Sequence, residues 1–188
     1  VAGNQIFQMV SDKTVLQMTK LLKDDLSDFR VKQDGFYSEK SLFSEGRIEE
    51  ACGIIKKNRN AYEKDGALWL ESTKYGDDKD RVVIREDGRS TYFASDIAYH
   101  HHKKLRGFDL LINVLGSDHH GYVSRLEAGL ASTGNKPSDL EVILMQFVTL
   151  YRGKKKIQMS TRSGNFVPMR DLYSEVGVDA ARFFYVSR

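Results

Sequence analysis

Between Gln5 and Leu26 apolar residues fall at Ile6, Met9, Val10, Leu16, Leu21, Leu22 and Leu26, a broken but mainly helical spacing. "DFRV" (28–31) then reads as a short strand. A helical pattern resumes over 44–58, with Ile48, Ala51, Cys52 and Ile55 on one side and Ser44 as its N-cap. At Lys64 the period changes. "GALWL" (66–70), "RVVIRE" (81–86) and "STYFA" (90–94) are short β-type runs, with "YGDDKD" (75–80) as a charged loop and "EDGR" as a hairpin turn. These runs predict an antiparallel β insertion. Beyond Asp96 the pattern alternates: a helix "SDIAYHHHKKL", a buried strand "LLINVLG", a helix over 121–132, a strand "LEVILMQFVTL" (140–150), a loop, and two helices over 172–176 and 179–186. Buried strands separated by helices predict βα units on a parallel sheet, hence an α/β fold. The expected organisation is a helical and α/β part over 1–63, the insertion over 64–94, and an α/β part over 95–188.

Composition narrows the class. The 188 residues are 40% hydrophobic and 11% aromatic, which is globular and not disordered composition. A net charge of +3 is too small to argue for nucleic acid, but "HHHKKLR" (100–106) and "YRGKKK" (151–156) gather positive charge in the second half. The single cysteine, Cys52, points to a reducing, cytoplasmic compartment. The longest apolar run, 140–150, is too short to cross a bilayer and contains Glu141 and Gln146, so no membrane partner is expected. The chain opens on Val1 inside a helical pattern, which suggests a piece excised from a larger protein.

Three segments carry candidate chemistry. In open α/β sheets ligands collect beyond the carboxyl ends of strands. "VLGSDHHGY" (114–122) is such an end: Gly116 permits close backbone approach, Ser117 can cap the next helix, and Asp118 suits ribose hydroxyls or a cationic substrate. Asp118 can equally be a helix cap, with His119 and His120 facing water. "TYFASD" (91–96) puts Tyr92 at a strand end and Asp96 where a helix should start, either as an N-cap or as a phenol and carboxylate closing on a cation. Consecutive histidines 100–102 point about 100° apart and cannot converge on one metal ion, so they read as a solvated face and no metal site is expected. "KKKIQMSTRSGN" (154–165) offers two hydroxyls, Ser160 and Thr161, one cation, Arg162, and a Gly-Asn turn with free backbone N–H groups, as a phosphate-holding loop or a basic surface hairpin. No GxxxxGK[ST] loop is present.

Taken in order, "DGALWL", "GDDKDRVVIREDG", "TYFASDIAYH", "GSDHHGY" and "SGNFVPMRDLYSEVGVDAARFF" resemble the catalytic domain of class I aminoacyl-tRNA synthetases, and within that class the arginyl-tRNA synthetases of bacterial type. The resemblance is strongest over 64–188. It implies the second half of a class I Rossmann-like parallel sheet with helices, plus the small antiparallel insertion. It also implies ligase activity: arginine is activated by ATP to an adenylate and transferred to tRNA(Arg). ATP enters with Mg2+ as a substrate complex, without a tightly bound cofactor, in a monomeric parent enzyme.

Site roles follow from the resemblance one position at a time. "QMSTR" stands where the family carries "KMSKS": Met159 and Ser160 match, Gln158 and Thr161 replace the lysines, and Arg162 takes the fifth place. Ser160 and Arg162 are thereby the implied catalytic groups on the leaving pyrophosphate, with Lys154 to Lys156 upstream, or a lysine near the family's other ATP signature, as alternative sources of the cation. Tyr92 and Asp96, with Asp118, are implied in holding arginine, a carboxylate being able to accept two parallel bonds from a guanidinium. Gly116, Asp118 and His119 are implied at ATP, with main chain near Phe147 and Val148 at the adenine. No HIGH-like element occurs in the sequence, so the piece alone is expected to be inactive. The competing expectation is a non-catalytic tRNA- or nucleotide-binding module of the same fold, as the eroded "QMSTR" would suit.

Overall fold

The structure, a computed structural model, describes residues 2–157 and 166–187. It comprises two compact units, residues 37–147 and residues 2–36 with 148–187, each described by itself. The elements in chain order are α1 (Ala2–Asp28), α2 (Glu39–Ser44), α3 (Arg47–Lys57), β1 (Ala61–Lys64), β2 (Ala67–Leu70), β3 (Arg81–Ile84), α4 (Tyr92–Leu105), β4 (Leu111–Gly116), α5 (Val123–Ser132), β5 (Leu140–Met145), β6 (Tyr151–Arg152), β7 (Lys155–Lys156), α6 (Met169–Val176) and α7 (Val178–Val186). No helix among the described residues is long and apolar enough to cross a membrane.

In the unit of residues 37–147, β1, β2 and β3 form an antiparallel sheet in that order, and β4 pairs with β5 in parallel, from Leu111↔Leu140 to Gly116↔Met145. The α/β reading with a small antiparallel sheet therefore holds. One core packs Leu42 of α2 and Ile48, Ala51 and Ile55 of α3 against Leu68, Leu70 and Val83 of the sheet and Phe93, Ala94, Ile97 and Ala98 of α4. A second joins Leu111, Leu126, Leu130 and Leu140, where α5 covers β4 and β5. The helix α5 lies close on α4 because position 129 is glycine: a Cβ there would stand 3.1 Å from Ile97 Cγ1 and 3.3 Å from Phe93 Cε2.

Several local expectations are corrected. "STYFA" is not a strand: Thr91 has extended dihedrals, its Oγ1 accepts from the Ala94 N–H at 3.4 Å, and Tyr92 begins α4. A good N-cap outweighs the β preference of Thr, Tyr and Phe. Only Ser90 still bridges, to Ile84. Ser44 closes α2 instead of capping α3, because Gly46 adopts φ 67° and caps α3. The strand β1, "AYEK", was not predicted; it pairs along β2 from Ala61↔Leu70 to Lys64↔Ala67. β4 and β5 are not buried on both faces, since Ile112, Val114, Ile143 and Met145 are exposed.

In the other unit, "DFRV" is a helix terminator and not a strand. Arg30 takes φ 58°, and its N–H bonds to Ser27 O at 2.9 Å while Val31 N–H bonds to Leu26 O at 2.8 Å, a Schellman closure of α1. The same end is held by α6 and α7. Arg170 Nε reaches Asp25 Oδ1 at 3.0 Å, Phe29 stacks on Tyr173, and Arg182 Nη1 donates to Phe29 O at 2.9 Å. The basic "YRGKKK" is a two-stranded hairpin, β6 with β7, turning at Gly153 with φ 60°.

Candidate active site

The unit of residues 37–147 holds a cavity of ≈ 630 Å³ between α2, α4, β4 and the 3₁₀ turn Ser117–Tyr122. Its polar groups include Glu39, Asp96, His100, Asn113, His119 and Tyr122, set among Leu42, Leu115 and Leu126 and the rings of Tyr37, Tyr92 and Tyr99. Asp96 lies in the second turn of α4 and is not its N-cap, so its carboxylate is free of helix-capping duty and turns into the cavity. Tyr92, one helical turn earlier, is 84% exposed at the rim. Spacing i, i+4 puts the two on one side of the helix.

The hydrogen bonds around Asp96 tie three elements together. Tyr122 Oη donates to Asp96 Oδ2. His100 Nδ1 meets the Asp96 carbonyl at 2.8 Å, and its Nε2 meets Asn113 Nδ2 at 2.7 Å. Asn113 Oδ1 accepts from Lys103 Nζ at 3.2 Å. This directionality fixes His100 as a neutral imidazole: Asn113 donates to Nε2, so Nδ1 carries the proton and donates to the carbonyl. Burial agrees, lowering the His100 pKa, with the nearby Lys103 charge adding to it. Burial likewise lowers that of Lys103.

Asp96 shows opposing influences. Burial raises its pKa, while the Tyr122 hydroxyl works against that by stabilising the carboxylate. Tyr122 is pushed upward by burial and then by its hydrogen bond to Asp96, so it stays a neutral donor at any ordinary pH. Lys103 is spent on Asn113 and stacks over Tyr99 at 4.4 Å. With Glu39 also on the wall, the cavity is acidic and ringed by aromatic faces. That chemistry suits a planar organic cation better than a compact ammonium or an anion.

The strand-end residues stand beside this cavity. The backbone of Gly116 lies so close to Asp118 that a Cβ there would sit 2.5 Å from Asp118 Oδ1. Asp118 is half exposed, 3.8 Å from His119 Nε2. His119 reaches the cavity wall, whereas Gly116 and Asp118 do not line it. Ser117 makes no side-chain cap to the turn or to α5. The structure thus brings Tyr92, Asp96 and His119 into one cavity, with Gly116 and Asp118 at its edge. Phe147 is exposed past the end of β5, Val148 falls in the other unit, and neither lines the cavity. Met159, Ser160 and Arg162 lie outside the described residues.

The solvated-face reading of the histidines is corrected: His100 is 4% exposed and structural, and His101 and His102 are half-buried. Sequence reasoning missed Tyr122, His100 and Asn113. His100 carried a usable signal, being four residues from Asp96 on one helix face.

Residues 4–184 match the family described as class I (R) tRNA synthetases, catalytic domain. The arginine–tRNA ligase of Hydrogenovibrio crunogenus is 51% identical over 186 residues, 99% of this chain and 31% of that protein. That of Psychrobacter cryohalolentis is 55% identical over 167 residues, 89% of this chain and 27% of that protein. A crystal structure from Campylobacter jejuni assigned to arginyl-tRNA synthetase superposes with a TM-score of 0.89 at 38% identity, covering 96% of this chain and 39% of that one. The Thermus thermophilus arginyl-tRNA synthetase, at 16% identity and TM-score 0.64 over 81% of this chain and 31% of that one, shares the fold. The chain spans about 30% of the length of the curated relatives it matches.

Proposed function

The chain belongs to the catalytic-domain family of the class I arginyl-type tRNA synthetases, and from that premise we propose that it forms part of an arginine–tRNA ligase and supplies its arginine pocket. The observation that carries the reading is the Asp96 carboxylate, set in an acidic, aromatic-walled cavity with Tyr92 on the same helix side. Asp96 accepts parallel N–H bonds from the guanidinium, with Tyr92 at the mouth. His119 and Asp118 face the aminoacyl group and the ribose, and Gly116 leaves room for that approach. Main chain near Phe147 and Val148 serves the adenine.

In the reaction the arginine carboxylate attacks the α-phosphate of ATP, pyrophosphate leaves, and the arginyl group passes to tRNA(Arg). Met159, Ser160 and Arg162 serve the phosphates; Arg162 and Ser160 meet negative charge that grows on the leaving group, where a preorganised donor lowers the barrier. Mg2+ arrives with ATP as a substrate complex. The host protein acts as a cytoplasmic monomer. With cognate tRNA present, a full-length protein carrying this chain exchanges pyrophosphate into ATP with arginine and not with lysine, and its Asp96→Ala variant does not. Absence of arginine-dependent exchange would leave the non-catalytic nucleotide-binding reading in its place.

A further inference from the structure

We propose that Tyr122 is a positioning and specificity-determining residue: by holding Asp96 Oδ2 from the strand-end turn, it fixes the carboxylate plane so that a two-pronged guanidinium is favoured over an ammonium. The inference rests on the arginine reading above and deepens it.

The geometry divides Asp96 into a held side and an open side. Tyr122 Oη occupies one site on Oδ2, and no bond to Oδ1 is formed among the described residues. A carboxylate offers about four lone-pair positions, so Oδ1 and the second position on Oδ2 stay open to two parallel N–H donors. Tyr122 is itself immobilised. The Arg125 guanidinium lies over its ring at 4.6 Å, and His119 meets it edge-on at 6.5 Å. The backbone under Asp96 is fixed from the other direction, through His100 to Asn113 on β4. Asp96 is therefore clamped at its carbonyl by one element and at its carboxylate by another.

Such a clamp matters unequally for the two cations. A guanidinium must match the carboxylate plane to form both bonds, whereas an ammonium is a point charge satisfied by any orientation. Releasing the plane penalises arginine more than lysine.

The test uses the 188-residue chain, its Tyr122→Phe variant, which keeps the ring, and Asp96→Asn. Two readouts are taken: the Asp96 carboxyl carbon followed by NMR through a pH titration without ligand, and L-arginine and L-lysine binding by NMR titration. The groups facing Asp96 in that titration are Glu39 from α2, Tyr37 ahead of it, His100 and Lys103 from α4, and His119 and Tyr122 from the turn. All except Tyr122 are unchanged in the variant. The proposal expects the Asp96 midpoint to rise in Tyr122→Phe, arginine to bind roughly tenfold more weakly, and lysine to change less, so that the arginine-to-lysine ratio narrows. An unmoved midpoint and ratio, with arginine still bound by wild type and lost in Asp96→Asn, overturns this inference and leaves the arginine pocket standing. Arginine binding that is absent, or indifferent to Asp96→Asn, overturns the pocket and this inference with it.

Discussion

Asp118 Oδ1 lies 2.5 Å from where a Cβ on Gly116 would be, so the position of this aspartate depends on a missing side chain two residues away. Gly116 itself has φ −67°, which alanine adopts without strain. Gly116→Ala therefore expels the Asp118 carboxylate without breaking the fold. Thermal unfolding should shift by less than about 1 kcal/mol, while ATP binding weakens. Unchanged ATP affinity would remove Asp118 from the nucleotide site.

Asp96→Asn should stabilise the protein while abolishing arginine binding. Burial raises the folded-state pKa of Asp96, so its charged form is disfavoured by folding. The penalty is absent below the unfolded carboxylate value of 3.8 and grows as pH rises through the folded value. Denaturation at pH 7 should show Asp96→Asn more stable by about 1 kcal/mol, a gain typical of relieving a functional strain, and the difference should vanish near pH 3. A less stable variant at pH 7 would contradict the assignment of Asp96 as a functional and not a structural carboxylate.

Arg81 and Asp77 pin the loop before β3. Arg81 Nε and Nη2 donate to the two Asp77 oxygens, each at 2.8 Å, with the Asp77 side chain 1% exposed. Arg81→Ala leaves a buried carboxylate unpaired and should cost about 3 kcal/mol at pH 7 by urea denaturation. The Arg81 guanidinium holds Asp77 well below its usual range. Its contribution is thus complete above the unfolded value of 3.8 and is lost as pH falls below it, so the variant should approach wild type in strong acid. A penalty independent of pH would assign the loss to packing alone.

Cys52 should be inert in the native state. Burial, and then Glu49, push its thiol up to about 11, leaving on the order of one thiolate in a thousand at pH 8. Iodoacetamide should label it slowly in buffer and rapidly in denaturant. Equal rates would show the α3 face to be open.

The sequence was legible where one element's own period decides its structure. Ile48, Ala51 and Ile55 on α3, and the parallel strands β4 and β5, could be read from spacing alone. It was less legible where a short-range cap or turn competes with propensity. Thr91 starts a helix inside a β-rich window, Arg30 ends one where a strand was expected, and "AYEK" is a strand only because β2 pairs with it. Gly116, Asp96 and Tyr92 carried their signal locally, and Asp96 and Tyr92 line one cavity. Tyr122 was in view within "GSDHHGY", but its bond to Asp96 spans 26 residues and two elements, and no periodicity encodes it.

The measurement that bears most directly on the central claim is a calorimetric titration of the chain with L-arginine and with L-citrulline, its uncharged counterpart of nearly the same shape, repeated on Asp96→Asn. The account predicts that arginine binds wild type, that citrulline does not, and that Asp96→Asn binds neither. Equal binding of citrulline, or arginine binding that survives in Asp96→Asn, would contradict it.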